Sequence, residues 1–357
     1  MTAQIAVLNG DYIGPEIMAA GLKVLAAVTE NENFDYDLHP VPFGGEGIDK
    51  LGDPLPASTL ATCKQADAVL LSAIGGPKWD KAERRPETGL LEIRKALNLF
   101  ANIRPTVISP AMRQYSPIRN ESPVDFVIVR ELTSGIYFGT PRETHETYAL
   151  DTMRYTENEI ERIVKVGFEM AMKRRKHVTL VDKANVLDTS KFWRKITARI
   201  AADYPEVTYD TSYVDAASMK IIANPGQFDV ILTENLFGDI LSDEAAQITG
   251  SLGTIPSMSK GTDGPALYEP IHGSAPDIAG QGIADPLSMI KSVAMMLANS
   301  FDRQDLSDTI MTAVDQAIDD QIVTPDLGGT ATTDEVTDTI IKTIKKVGQH
   351  NYEPNHV

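Results

Sequence analysis

Two periods of apolar spacing take turns along this chain. Gln4–Leu8 is a short apolar run that reads as a strand. From Pro15 to Val28 the apolar positions recur with helical spacing, and Pro15 suits a first turn. Phe34–Val41 predicts a strand and Ala57–Gln65 a helix. Ala68–Ile74 predicts a buried strand that ends in Gly75-Gly76-Pro77, and Thr88–Leu97 is helical. Val124–Val129 and Gly135–Phe138 are β-rich. Glu157–Arg174 is a long amphipathic helix and Val178–Val181 a strand. Ser190–Ala202 and Ala216–Ala223 read as helices around another β-rich run, and Asp229–Leu232 as an apolar strand. Leu287–Ser300 is an apolar helix; Leu306–Asp319 and Asp334–Val347 are amphipathic ones. This order predicts an α/β fold with helices on both sheet faces. The polar, poorly periodic stretch Gly139–Tyr155 fits a protruding arm or a subunit contact.

Composition narrows the class. The 357 residues suffice for about two domains, and no Gly/Ser linker or repeat marks a boundary. At 42% hydrophobic and 23% charged, the chain can bury a full core. No apolar run approaches the ~18 residues of a membrane span. The first residues begin directly with a strand pattern, so no signal peptide is expected. A single cysteine, Cys63, excludes an internal disulfide and a cysteine-based zinc site, and suits a reducing cytoplasm. A net charge of −17 argues against nucleic acid as partner but leaves room for a small anion held by local arginines.

The candidate chemistry centres on residues 229–256. Asp239 and Asp243 lie four apart in a segment that reads as a helix, so both carboxylates share one face. The plain reading is acidic residues in a first helical turn. The sharper one is a cation site, because the pair stands where a strand hands over to a helix, the ligand-binding edge of α/β folds. Asp215 would complete an all-oxygen set suited to Mg²⁺ or Mn²⁺. Arg94, Arg104 and Arg130 could clamp a compact di-acid, although an isolated arginine more often makes a surface salt bridge. Tyr137 and Lys183 are candidate proton-transfer groups. A lysine ending a buried strand is oddly placed for solubility alone, though a satisfied core tyrosine and a snorkelling lysine are the plain readings. Glu269 to Pro286 is glycine-rich but contains no GxGxxG fingerprint; in it Asp277 could accept ribose hydroxyls, or the run could be a surface loop.

Together the segments GDYIGPEI, GGPKWD, RPETGLLEIRKALNLFANIRP, VRELTSGIYFG, LVDKANVLDTS, TENLFGDILSDEA, GSLGTIPS and EPIHGSAPDIAG form a specific set. On these the chain resembles the 3-isopropylmalate dehydrogenase branch of the β-decarboxylating dehydrogenase superfamily, alongside isocitrate, homoisocitrate and tartrate dehydrogenases. The resemblance implies two α/β domains without a Rossmann site: residues 1–99 with 251–357, and residues 100–250. It implies a homodimer with shared active sites, NAD, and Mg²⁺ or Mn²⁺. By the same resemblance Arg94, Arg104 and Arg130 look like the substrate carboxylate clamp. Asp239 and Asp243 look like metal ligands, joined by Asp215 from the partner subunit. Lys183, also from the partner, looks like the base for the C2 hydroxyl. Tyr137 looks like the acid that protonates the enolate. Glu87 and Asn185 would lie near the nicotinamide, and His272, Gly273, Ser274, Ala275, Pro276, Asp277, Ile278 and Asp285 along the rest of the cofactor. Leu90 and Leu91 stand where isocitrate enzymes carry polar groups, so they would pack an isopropyl group, and 3-isopropylmalate is the implied substrate. Asp277-Ile278 resembles the NAD form of the loop.

Three residues depart from the family pattern: Tyr12 for a glycine, Asp285 for an asparagine that faces the adenine, and Ala216 for an asparagine after the metal aspartate. Three other readings compete. A sister decarboxylase acting on tartrate, malate or homoisocitrate is disfavoured by Leu90 and Leu91. A silent regulatory subunit is disfavoured by intact Lys183, Tyr137 and the three aspartates. A metal-dependent phosphatase leaves the arginines unexplained.

Overall fold

The computed structural model describes residues 2–119 and 122–350. The chain opens with β1 (Ala3–Leu8), α1 (Gly14–Thr29), β2 (Tyr36–Pro40), α2 (Gly45–Leu51), α3 (Ala57–Gln65), β3 (Ala68–Leu71) and α4 (Pro86–Ala96). Its middle carries β4 (Ala101–Ile108), β5 (Val124–Glu131), a small exposed hairpin of β6 (Glu143–Thr144) and β7 (Ala149–Leu150), α5 (Glu157–Met172), β8 (His177–Asp182), α6 (Asp188–Ala201), β9 (Thr208–Tyr213), α7 (Val214–Ala223), β10 (Val230–Thr233) and α8 (Asn235–Gln247). It closes with β11 (Pro256–Lys260), β12 (Ala266–Pro270), α9 (Leu287–Ser300), α10 (Gln304–Asp319) and α11 (Thr333–His350).

Ten strands form one mixed sheet in the order β2-β1-β3-β12-β11-β4-β5-β10-β8-β9. The outer runs are parallel, and β11 and β4 each pair antiparallel with both of their neighbours. Three reversals in a row make the two halves run in opposite directions. The sheet also divides by chain segment at the β11–β4 pairing. Every strand on one side comes from residues 3–71 or 256–270, and every strand on the other from 101–233.

The helices form where the sequence supplies start signals and a buried stripe. Thr156 and Glu159 make a reciprocal capping box at the start of α5, whose Ile160, Ile163, Val164, Gly167, Phe168 and Ala171 are buried. Pro86 opens α4, where its missing N–H costs nothing. Against the sheet, α5 covers β5, β10 and β8, while α9 covers β12, β11 and β3. The stripe of α9 is so broad that it is shielded in turn by α1 and α10.

Several expected boundaries shift. The strand expected over Phe34–Val41 spans only Tyr36–Pro40, and that over Ala68–Ile74 stops at Leu71, before the Gly75-Gly76 turn. Gly135–Phe138, expected to be β-rich, contains a 3₁₀ turn over Gly135–Tyr137, which Gly135 enters with φ of 76°. Gly139–Tyr155 carries the exposed β6–β7 hairpin. Tyr12 adopts φ of 52°, in the left-handed region that favours glycine, which accounts for the usual glycine there. Its ring packs edge-on against Trp79 at 5.8 Å. Among the described residues no helix is long and apolar enough to cross a membrane.

Candidate active site

The site grows from the middle of the sheet. Asn102 pairs with Arg130 across β4 and β5, and Arg130 pairs with Thr233 across β5 and β10. Cross-strand partners share a face, so Asn102, Arg104 and Arg130 all project towards α8. That helix starts directly after β10. Glu234 caps it, accepting from the N–H groups of Leu236 and Phe237. Gly238 permits the close approach, since a Cβ there would lie 2.5 Å from Arg130 Cγ.

Around α8 the charges interlock. Arg130 is 3% exposed and donates from Nη1 to Asp239 Oδ1 at 2.5 Å and from Nη2 to Asn235 Oδ1 at 2.8 Å. Arg104, 8% exposed, donates from Nη1 to Ser242 Oγ at 2.6 Å and to Asp243 Oδ1 at 3.0 Å, and from Nε to Asn102 Oδ1 at 2.9 Å. Tyr137 donates its hydroxyl to Asp239 Oδ2 at 2.7 Å. Burial, then the neighbouring Arg104, pulls the Arg130 guanidinium down to about 10. Burial pushes the Asp239 carboxyl up, but Arg130, the Tyr137 hydroxyl and Arg104 outweigh it and leave it below the usual carboxylate range. Asp243 is raised, by burial first and by the charge of Asp239 against the pull of Arg104. Burial, then the Asp239 hydrogen bond, lifts the Tyr137 hydroxyl to about 12, so it keeps its proton across the physiological range.

On α4, Glu87, Leu90, Leu91 and Arg94 follow the i, i+3, i+4, i+7 spacing of one helix face. Arg94 donates from Nη2 to Glu269 Oε1 at 2.9 Å, while its Nε is buried with no hydrogen-bond partner. Leu91 is 39% exposed, whereas Leu90 is partly buried against the core that includes Phe43, Leu55, Ile93 and Leu97. Of the two leucines expected to face a ligand, Leu91 is therefore the freer wall. Glu87 sits over the Gly75 turn, where a Cβ would be 2.5 Å from its Oε1.

Lys183 and Asp215 lie elsewhere in the chain. Lys183 Nζ meets Asp215 Oδ1 at 2.8 Å, Asp215 is exposed, and Asn185 beside them is exposed too. Among the described residues no group of three acidic, histidine or cysteine side chains is gathered for a metal. One chain thus presents Asp239 and Asp243 with the arginines and Tyr137, and separately Asp215 with Lys183.

A second cavity, of about 600 Å³, is lined by His272, Gly273, Ala275, Ile278 and Asp285 together with Ile13, Ser251, Gly253 and Asp326. Its loop is tied to two turns: the Ser274 hydroxyl donates to Gly75 O, after β3, at 2.7 Å, and the Ile13 N–H, before α1, donates to Ser274 O at 3.1 Å. Pro276 and Asp277 form a short 3₁₀ turn with Asp277 exposed. His272 Nε2 and Asp285 Oδ2 are buried without hydrogen-bond partners. Burial, and next the charge of Asp326, raise the Asp285 carboxyl well above its ordinary range; the Leu287 N–H and Lys291 only partly oppose this. Between the ordinary carboxyl value of about 3.9 and the raised native one, the native state binds more protons than the unfolded chain, so stability falls as pH rises. Asp285→Asn removes that titration. Its melting temperature is expected to exceed that of the parent at about pH 8, with the margin shrinking towards about pH 4. Thermal unfolding across this range checks it, and a margin independent of pH would refute the assignment.

Residues that were not singled out from the sequence hold this arrangement. Asp11 accepts from the N–H groups of Gly75, Gly45 and Glu46, knitting three loops together. Glu269, Ser242, Asn102 and Asn235 each take an arginine. Asp11 and Glu269 fall inside segments already quoted for the resemblance, which was their available signal.

A family model described as isocitrate/isopropylmalate dehydrogenase matches residues 4–340. A 3-isopropylmalate dehydrogenase of Listeria monocytogenes is 54% identical over 97% of this chain and 99% of its own length. One from Lactococcus lactis is 56% identical over 96% of this chain and 99% of its own length. Among solved structures, an isocitrate dehydrogenase from Methylococcus capsulatus aligns with a TM-score of 0.87 at 35% identity, covering 96% of this chain and 100% of that one. A β-decarboxylating dehydrogenase from Thermococcus kodakarensis aligns with a TM-score of 0.83 at 36% identity, covering 100% of both. With its arginine-bordered acid pair and with matches that run nearly end to end, the chain belongs to the isocitrate/isopropylmalate dehydrogenase family.

Proposed function

We propose that this protein carries out the NAD-dependent oxidative decarboxylation of 3-isopropylmalate to 4-methyl-2-oxopentanoate, a step of leucine biosynthesis, as a cytoplasmic homodimer. One observation carries the reading: three arginines border the Asp239–Asp243 pair, and Arg94 keeps a buried Nε donor without a partner. A dicarboxylate would fill that gap, because guanidinium forks match carboxylates.

The hard oxygen donors of Asp239 and Asp243 fit Mg²⁺ or Mn²⁺, with the third ligand, Asp215, supplied by the partner subunit. When bound, that ion supplies Lewis-acid stabilisation of negative charge developing on the substrate. NAD, the hydride acceptor, fits the loop from His272 to Ile278 with Asp285, its nicotinamide end towards Glu87 and the partner subunit's Asn185. The division into residues 1–99 with 251–357 and residues 100–250 is supported by the sheet, whose strands separate by segment at β11–β4.

The chain's own groups have distinct tasks. Arg94, Arg104 and Arg130 orient the substrate carboxylates and keep the anion in line. Lys183 takes the C2 hydroxyl proton. After CO₂ leaves, Tyr137 gives its proton to the enolate carbon, as its retained proton permits. Leu91, helped by Leu90, covers the alkyl branch.

Turnover of 3-isopropylmalate with NAD, compared with isocitrate, malate, tartrate and homoisocitrate and with NADP, tests the proposal through NADH absorbance. Turnover of another malate analogue alone moves the substrate, and no turnover in the presence of metal overturns the reading. Leu91→Ser should weaken kcat/KM for 3-isopropylmalate relative to malate by about tenfold, since an apolar pocket contact gives roughly 1–3 kcal/mol of preference. An unchanged ratio would remove Leu91 from the pocket.

A further inference from the structure

The face of the sheet opposite the arginines holds a cavity of its own. Alternation turns Ile103 and Pro105 away from Asn102 and Arg104, and turns Met258 away from Ser257 and Ser259, which contact Asn102. On that far face α5 covers one half of the sheet, while α9, backed by α10, covers the other. Between them, over the β4–β11 seam, lies a pocket of about 410 Å³. Its floor is Ile103, Pro105 and Met258, and its walls include Met170 of α5 and Lys291 of α9.

Lys291 is only 9% exposed. Its ammonium makes no ion pair or side-chain hydrogen bond among the described residues. Burial pulls it below the ordinary lysine range, partly offset by the charges of Asp285 on the loop before α9 and Asp315 on α10. The other cation at the pocket, Arg174, already pairs with Asp125 at 2.6 Å and Asp229 at 2.9 Å. A buried cation that no carboxylate touches is costly even with Asp285 and Asp315 acting on it from a distance, and an anion in direct contact lowers that cost. The apolar side is open as well, with Val107 44% and Met311 36% exposed.

We propose that this cavity binds a small aliphatic monocarboxylate, with its carboxylate on Lys291 and its chain over Ile103 and Met258. One available cation fits one carboxylate; a phosphate or a di-acid would leave charge unmatched in an apolar wall. The volume falls in the lower range of small-molecule pockets. Because the walls come from chain segments on both sides of the seam, an occupant braces one half of the sheet against the other, on the face remote from the arginines.

The test is ligand-observed NMR on the full chain with 4-methylpentanoate and its uncharged analogue 4-methylpentan-1-ol. The parent protein should prefer the acid by about tenfold or more, as a charge-assisted contact in a desolvated site allows. Lys291→Met should lose that preference while still binding the alcohol. Met311→Glu, at an exposed position with no folding demand, should weaken the acid more than the alcohol. Saturating 3-isopropylmalate with Mg²⁺ should leave the acid bound. Displacement by 3-isopropylmalate, an unchanged preference in Lys291→Met, or no binding to the parent protein would each overturn the proposal.

Discussion

Lys183→Met is expected to lower kcat by about a hundredfold to ten-thousandfold, the usual contribution of a positioned acid or base, while leaving the fold intact. The lysine follows β8 directly with its side chain 27% exposed, and its one ion pair is with an Asp215 side chain that is 64% exposed. Exposed pairs of this kind add little stability, so the melting temperature should barely move. The more telling experiment uses two inactive chains. Within one chain, Lys183 and Asp215 share no contact with Asp239, Asp243 or the arginines. If each site draws the lysine from the partner subunit, then Lys183→Met and Asp243→Asn damage opposite contributions. In a mixed two-fold dimer one site then receives an intact acid pair and an intact lysine, and the other receives neither. Random pairing of co-expressed chains should restore about a quarter of parental activity, since half of the dimers are mixed and each holds one working site. Two inactive parents with an inactive mixture would mean that each chain supplies its own lysine, and the shared-site proposal would fail. NADH formation by Lys183→Met alone at the parental rate would remove the lysine from the chemistry altogether.

The strands β1, β3, β5, β8 and β10 and the long helices were legible because their burial is one-sided or complete. Ala57–Gln65 and Leu287–Ser300 appear with the boundaries their periodicity predicts. The neighbouring strands β11 and β12 were not legible. In β11, Ser257 and Ser259 are buried polar residues bonded to Asn102, so Pro-Ser-Met-Ser-Lys offers only Pro256 and Met258 as apolar residues, too few to mark a strand. In β4 the stretch around Arg104 and Pro105 reads as a strand, as found, but the proline masks how far it runs, continuously from Ala101 to Ile108. Both strands are polar on one face because that face borders the site, so local pattern and fold conflict at the place where chemistry is expected. The same holds for the site residues. Arg94, Arg104, Arg130, Asp239, Asp243 and Tyr137 could be named from motifs, and they do converge. Their partners could not, since Glu269 lies 175 residues from Arg94 and Ser242 lies 138 from Arg104. No local period carries such a pairing. Nor could the sequence divide the labour between two adjacent leucines, which depends on α4 turning Leu90 towards the core and Leu91 outwards.

Tyr137→Phe is expected to separate the two halves of the reaction. The hydroxyl donates to Asp239 Oδ2 at 2.7 Å, and the Arg130 guanidinium carbon lies 5.8 Å from the ring centroid. Phenylalanine keeps the ring and its contact with Arg130, and deletes only the O–H. Asp239 still accepts from Arg130 at 2.5 Å, so the acid pair should hold its place and the substrate KM should change little. What disappears is a proton held at a hydroxyl whose value is pushed up to about 12. Such a group keeps its proton near neutral pH, as the proposed role after CO₂ release requires, when the enolate carbon must be protonated. Steady-state turnover should therefore fall by about a hundredfold or more, while a single-turnover burst of NADH survives at close to the parental rate. Rapid-mixing absorbance checks this. A burst lost in parallel with steady-state turnover would assign Tyr137 to hydride transfer instead. An unchanged steady state would leave the hydroxyl with no part beyond holding Asp239, whose carboxylate already sits below its usual range chiefly through Arg130, against the upward push of burial.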